Sequence, residues 1–247
     1  MENIKRLYWF CLNNWGLKEE KVLNNSPKNI VFDKFAQVAS ALSSSRRLEI
    51  LEHLAQGERS VDILAQLLGL TLANTSQHLK RLRAAGLVSS RKHGKYVFCK
   101  LSGDAVIDLI SALQRTSEEH VAEVKEVVSE YFNKCDDMEA LSRRQLIERL
   151  ERGAVTILDV RPEDEFNMAH IPGAINIPIK QLSDRLSEIP EEQEVIAYCR
   201  GAYCVFAYEA VLMLRNKGIK ARRLEDGYPE WKADGFPTES GKSEQML

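Results

Sequence analysis

Two cysteines, Cys199 and Cys204, stand in the run VIAYCRGAYC, where an apolar stretch from Val195 to Tyr198 gives way to Gly201 and then to a helical pattern from about Cys204 to Lys217. A thiol that ends a buried strand and begins a short loop into a helix has a definite chemistry. The backbone N–H groups of Arg200, Gly201, Ala202, Tyr203 and Cys204 can curl around its sulfur, and the helix dipole adds positive potential. Both effects favour thiolate over thiol and would hold a terminal persulfide sulfur. Arg200 adds a full positive charge at the rim. The competing reading of Cys199 is a buried small apolar side chain, the commonest state of a free cysteine. Cys204 leaves its own alternatives open. It could attack a Cys199 persulfide to give a disulfide, or pack the loop, or form half of a zinc site for which no further ligand lies near in sequence.

The loop is flanked by two further runs, ILDVRPEDEFNMAHIPGAINIP from Ile157 to Pro178 and LEDGYPEWKADGFP from Leu224 to Pro237. Taken in order, the three resemble a single rhodanese domain over about residues 138 to 238. Asp226 stands where that family commonly has Gly, and Cys204 where it more often has a small hydroxyl residue. The resemblance implies sulfur carried on Cys199, with Asp159 and Arg161 bracing the floor and entrance of the loop. Asp159 reads equally well as a turn anchor. Phosphatases and arsenate reductases of the same fold place an Arg six positions after the cysteine; here that position is Val205, so oxyanion chemistry is disfavoured.

A different chemistry is written earlier in the chain. Residues 63 to 103 carry Lys80, Arg81, Arg83, Arg91, Lys92, Lys95 and Lys100 with no Asp or Glu, inside a protein of net charge −2. Such a local basic block is the footprint of a phosphate-backbone contact, whereas a solvated face would interleave both signs. It coincides with DILAQLLGLTLANTSQHLKRLRAAGLVSSRKHGKYVFCKL. That run resembles the ArsR family of winged-helix regulators over roughly residues 30 to 115. On the helix beginning at Thr71, the positions Thr75, Leu79 and Leu82 share one face and belong in the core. Ala73, Asn74, Ser76, Gln77, Lys80 and Arg81 then face outward. Amides suit adenine in the major groove, and the cations suit phosphates or guanine. Arg91, Lys92 and Lys95 on the wing would touch the backbone. His78 falls near the core side, where a structural hydrogen bond is expected of it. The cysteine and histidine sets of metal-sensing members are absent, so no metal and no cofactor is expected; Cys99, in a wing strand, reads as packing.

Helices and strands must position these groups. Apolar helical spacing runs through Val31, Phe35, Val38, Ala39 and Leu42, then Leu48, Ile50, Leu51 and Leu54, stopped by Gly57. Ser60 and Thr71 are N-caps for the next two helices. Strands at 87–90 and 95–101 flank a basic turn over 91–94. From Ser102 one long amphipathic helix carries Val106, Leu109, Ile110, Leu113, Val121, Val124, Val128 and Tyr131. So long a stripe needs a second copy of the chain to cover it. Beyond Asn133 the pattern alternates helix and strand: a helix near 143–152, strands at 155–160, 195–198 and 221–224. That alternation argues for a parallel sheet.

The fold class expected is therefore multidomain: a mostly α winged helix-turn-helix followed by an α/β rhodanese-like domain with a parallel sheet. Boundaries fall at an N-terminal extension 1–27, a DNA-binding and dimerisation domain 28–133, a linker 134–140, the rhodanese-like domain 141–240 and a tail 241–247. No apolar run approaches the roughly 18 residues of a membrane span, and the Leu7–Leu12 cluster is too short for a signal peptide. With five cysteines in no framework spacing, a cytoplasmic, thiol-reducing setting is expected. The functional expectation is a homodimeric transcriptional regulator, a repressor, binding double-stranded operator DNA. It would respond to reactive sulfur through persulfide on Cys199, with thiosulfate or a persulfide as donor. The alternative is a sulfurtransferase enzyme whose DNA-binding domain serves autoregulation or targeting.

Overall fold

The computed structural model describes residues 26–132, 140–190 and 192–241. The expectations for the N-terminal extension, the tail beyond Gly241 and nearly all of the linker, Cys135 included, lie outside them.

The first unit opens with α1 (Pro27–Leu42), where Ser26 caps and Pro27 starts the helix, and α2 (Ser45–Gln56). A two-residue strand β1 (Arg59–Ser60) leads into α3 (Val61–Leu67), capped by the Ser60 hydroxyl on the Ile63 N–H. Thr71 caps α4 (Leu72–Ala84) in the same way through Asn74. The hairpin β2 (Val88–His93) and β3 (Tyr96–Leu101) follows, and the sheet order is β1-β3-β2, all antiparallel. Ile50, Leu51, Leu54, Leu64, Leu79, Leu82, Val88 and Val106 make one core. This is a winged helix-turn-helix.

Two expectations are corrected here. The basic turn is shorter than the residue types suggested: Arg91, Lys92 and His93 pair with Phe98, Val97 and Tyr96. The chain reverses around Gly94, whose φ of 59° suits a residue without a Cβ. The long C-terminal helix is not continuous. It runs as α5 (Ala105–His120), breaks at Val121 (φ −104°, ψ 112°), and resumes as α6 (Ala122–Val127) and a wide turn over Val128–Phe132. Thr116 and Ser117, in its last turn, donate their hydroxyls to the carbonyls of Ala112 and Leu113, a back-bonding pattern that bends helices.

The second unit runs α7 (Arg143–Glu151), β4 (Val155–Asp159), α8 (Glu163–Met168), β5 (Ile175–Asn176), β6 (Glu194–Tyr198), α9 (Val205–Asn216), β7 (Ala221–Arg223) and α10 (Tyr228–Ala233). Its four strands lie in the order β5-β4-β6-β7 and are all parallel. Strand alternation sorts the side chains into two cores. Leu158, Val195 and Ala197 face α9, whereas Ile157, Ile196 and Tyr198 face α7 and α10 with Leu146 and Trp231. A sheet buried on both faces explains the unbroken apolar run of β6.

Candidate functional site

Cys199 continues the α9-facing register of Val195 and Ala197 and is buried. Its carbonyl accepts from the Tyr228 N–H at 3.0 Å, which ties the loop to the start of α10. Cys204 is the N-cap of α9, and its own N–H is used inside the loop, on the Gly201 carbonyl at 3.1 Å. The sulfurs of Cys199 and Cys204 are joined as a disulfide across a Cα–Cα separation of 6.2 Å. Of the alternatives open for Cys204, the geometry brings it to its partner thiol. No group of metal-binding side chains is found among the described residues.

Gly227 is the loop's backstop. A Cβ there would fall inside the backbone of Arg200 and Gly201, so the glycine of the Leu224–Pro237 run is needed for close approach rather than for an unusual turn.

Asp159 and Arg161 form a fully buried ion pair. The carboxylate accepts from the Arg161 backbone N–H at 2.9 Å, from Nε at 3.1 Å and from Nη2 at 2.6 Å. The guanidinium lies 4.4 Å from the Tyr228 ring and 5.5 Å from that of Tyr198. Asn176 fixes the turn by donating to the carbonyls of Asp159 and Arg161. By the pleat, Asp159 lies on the face opposite Cys199, beside the α10 core. Its carboxylate is linked to the loop through Arg161 and then Gln56, which meets the Arg200 carbonyl.

Arg200 differs from its expected role. Its guanidinium is not an open charge at the rim: Nε meets both Glu165 oxygens at 3.1 and 3.0 Å, and Nη2 meets one at 2.7 Å. Glu165 is buried and takes a second cation, Arg59 of β1, at 3.2 Å; Arg59 also holds Asp164 at 2.8 Å. Gln56, the last residue of α2, accepts from Arg161 Nη1 at 3.0 Å and donates to the Arg200 carbonyl at 3.4 Å. The winged-helix unit therefore sits directly on the loop. Sequence reasoning missed Gln56, Arg59 and Glu165; the first two lie around QGERS, which reads as punctuation between helices, and Glu165 is one acid in an acidic run.

Tyr203 reaches in the other direction. Its hydroxyl donates to Glu118 of α5 at 2.7 Å, and burial together with that carboxylate pushes the phenol well above its usual range. Beside this contact is a cavity of about 640 Å³ between α5 and the second unit, lined among others by Asp108, Arg115, Ala202, Tyr203, Arg223 and Glu230.

The reading head is separate from all of this. Thr75, Leu79 and Leu82 are buried, and Thr71, Ala73, Asn74, Ser76, Gln77, Lys80 and Arg81 are exposed. Arg91, Lys92 and Lys95 are exposed on the wing, where Arg91 is clasped by Glu58 through bonds of 2.9 and 3.0 Å. His78 is half-buried, but its Nδ1 has no hydrogen-bond partner among the described residues, against the structural bond expected of it. Cys99 is buried and its thiol pushed up by burial, as its packing role requires.

Comparison with known proteins gives two family matches: residues 44–90 to the bacterial regulatory protein arsR family and residues 142–234 to the Rhodanese-like domain. The HTH-type transcriptional regulator Rv0324 of Mycobacterium tuberculosis is 42% identical over 214 residues, 87% of this chain and 94% of that protein. A sulfurtransferase of Allochromatium vinosum is 31% identical over 102 residues, 41% of this chain and 90% of its own. Among solved structures, the homodimeric winged helix-turn-helix domain of Mb0332 from Mycobacterium bovis aligns with 35% identity and a TM-score of 0.38, over 40% of this chain and 92% of that one.

Proposed function

The chain belongs to the arsR-family transcriptional regulators that carry a C-terminal rhodanese domain, and from that premise we propose that it is a regulator whose operator binding answers to sulfur carried on Cys199. The observation that carries this reading is the pairing of Cys199 with Cys204 in a loop roofed by the DNA-binding unit itself.

The chemistry balances without a metal. In the reduced loop the Cys199 thiolate attacks the sulfane sulfur of thiosulfate; the sulfur–sulfur bond of the donor breaks and sulfite leaves with the electron pair. Cys204 then attacks Cys199 Sγ, forming the disulfide and expelling hydrosulfide, which takes the thiol proton. A dithiol reductant restores the two thiols. Persulfide and disulfide are thus successive states of one loop, and sulfur transfer to an outside acceptor would compete with closure onto Cys204.

For the DNA-reading half, Ala73, Asn74, Ser76 and Gln77 would read base edges, while Thr71, Lys80, Arg81, Arg91, Lys92 and Lys95 would take phosphates. Ile30, Val31, Phe32 and Phe35 on α1, with Leu109 and Leu113 on α5, are exposed in the single chain. A patch of that kind supports an isologous dimer on a two-fold operator.

Intact-protein mass spectrometry of reduced wild type and Cys199→Ser after thiosulfate treatment tests the sulfur claim. Wild type gains one sulfur atom or loses two hydrogens to the disulfide, and the variant does neither. Fluorescence anisotropy with an operator duplex, comparing reduced, loaded and oxidised protein, then tests the regulatory claim. Equal affinities in all three states would overturn it.

A further inference from the structure

We propose that Arg59 and Gln56 of the winged-helix unit are positioning residues of the sulfur-bearing loop, setting the electrostatic field at Cys199 through the shared carboxylate Glu165. The inference rests on Cys199 being the reactive residue, and it adds that the DNA-binding unit tunes that reactivity by contact and not through the linker.

The contact is built from buried polar groups. Glu165, Arg59 and Gln56 are 1%, 3% and 2% exposed. A carboxylate at that depth must be neutralised, and here two guanidinia from different units share it, Arg200 by its Nε and Nη2 and Arg59 by its Nη2. Whatever Arg59 contributes to balancing Glu165 leaves Arg200 correspondingly less bound and its positive field more available to the loop. Gln56 fixes the geometry of the same joint, with its amide oxygen on Arg161 and its amide nitrogen on the Arg200 carbonyl. Gly57, next in the chain, packs closely on the Met168 side chain at the end of α8. His53, one turn earlier on α2, is pushed down to about 4 by burial and by Arg200 and Arg59, so the cations of both units act on the same helix face.

This arrangement makes a signed prediction. Glu165→Gln removes the anion that occupies Arg200, so the field at Cys199 becomes more positive. Arg59→Met removes the competing cation, so Glu165 binds Arg200 alone and the field becomes less positive. Two disruptions of one contact therefore move Cys199 in opposite directions. Linkage requires the reverse effect too: a change of charge state in the loop alters how firmly Arg59 and Gln56 are held.

The test uses the full chain in a Cys204→Ser background, labelled with iodoacetate or iodoacetamide and quantified at Cys199 by peptide mass spectrometry. The ratio of the anionic to the neutral rate reports local charge and cancels changes of accessibility common to both reagents. We expect this ratio to rise about threefold in Glu165→Gln and to fall by a similar factor in Arg59→Met, the size of one unit charge acting through a partly screened path. Asp164→Asn changes an exposed partner of Arg59 and provides a variant that does not disturb the buried centre; its ratio should rise, by less. Ratios that stay unchanged, or that move together in Glu165→Gln and Arg59→Met as simple undocking requires, would overturn the proposal. Because alkylation needs no sulfur donor, a failure of sulfur loading at Cys199 would leave this result standing, and the two claims fail separately.

Discussion

The side-chain amide of Gln56, at the end of a helix in the DNA-reading half, accepts a hydrogen bond of 3.0 Å from Arg161, which is itself locked to Asp159 beneath the sulfur-bearing loop. A single residue of one unit thus completes the hydrogen bonding of a buried cation in the other. In the regulator proposed above, a route between sulfur chemistry and DNA geometry would pass through this joint.

The Asp159–Arg161 pair is the most demanding element of that joint. Both side chains have no exposure, and removing one partner leaves a buried charge uncompensated. Arg161→Met should lower unfolding free energy by about 3–5 kcal/mol in urea titration. A loss under 1 kcal/mol would mean that Asp159 is satisfied by the turn alone.

Gly227 tests the shape of the loop. Gly227→Ala forces its methyl into the backbone of Arg200 and Gly201, with an overpacking cost of about 1–3 kcal/mol. Cys199 labelling by iodoacetamide should change severalfold, and unchanged labelling would mean that the loop relaxes around the methyl.

His53 gives the joint a pH dependence. Its folded value of about 4 lies below the ordinary 6.5, so between those limits the unfolded chain binds more protons than the folded one, and stability falls as pH drops from about 6.5 towards 4. Urea midpoints at pH 7 and pH 5 should therefore separate more for wild type than for His53→Gln. Parallel midpoints in the two proteins would assign the acid sensitivity elsewhere.

The reading head separates base from backbone contacts. Lys80→Ala should weaken binding to all duplexes alike and reduce the slope of log affinity against log salt by about 0.9. Asn74→Ala should instead relax the preference at one base pair, by about 1–3 kcal/mol. Competition titrations at several salt concentrations distinguish them. The Glu58 clasp on Arg91 predicts a smaller loss for Arg91→Ala than for Lys92→Ala, because Arg91 must first give up its carboxylate.

Local chemistry in the sequence disclosed the parts of each unit but not the joint. Ser60 and Thr71 cap where a short hydroxyl precedes an apolar period, and Thr75, Leu79 and Leu82 are buried because helical spacing leaves them no other face. Cys199 was legible from the change of pattern around it. Gln56, Arg59 and Glu165 were not, since a polar residue buried against another unit looks the same in sequence as one in water. The break at Val121 was hidden for another reason: residues 114–120 carry no apolar side chain, and the helical spacings on either side of that polar stretch read as one period.

With the sulfur-bearing unit docked on α2 and β1, the outward face of α4 stays uncovered. Among the described residues nothing lies over that face. In the dimer proposed above, a tilt of α2 would alter spacing: the distance and pitch between two reading heads that must fall one helical turn of DNA apart, about 34–36 Å. A dimer of this plan would work as an adjustable caliper, and an error of a few ångströms between its jaws would be enough to take both off the groove.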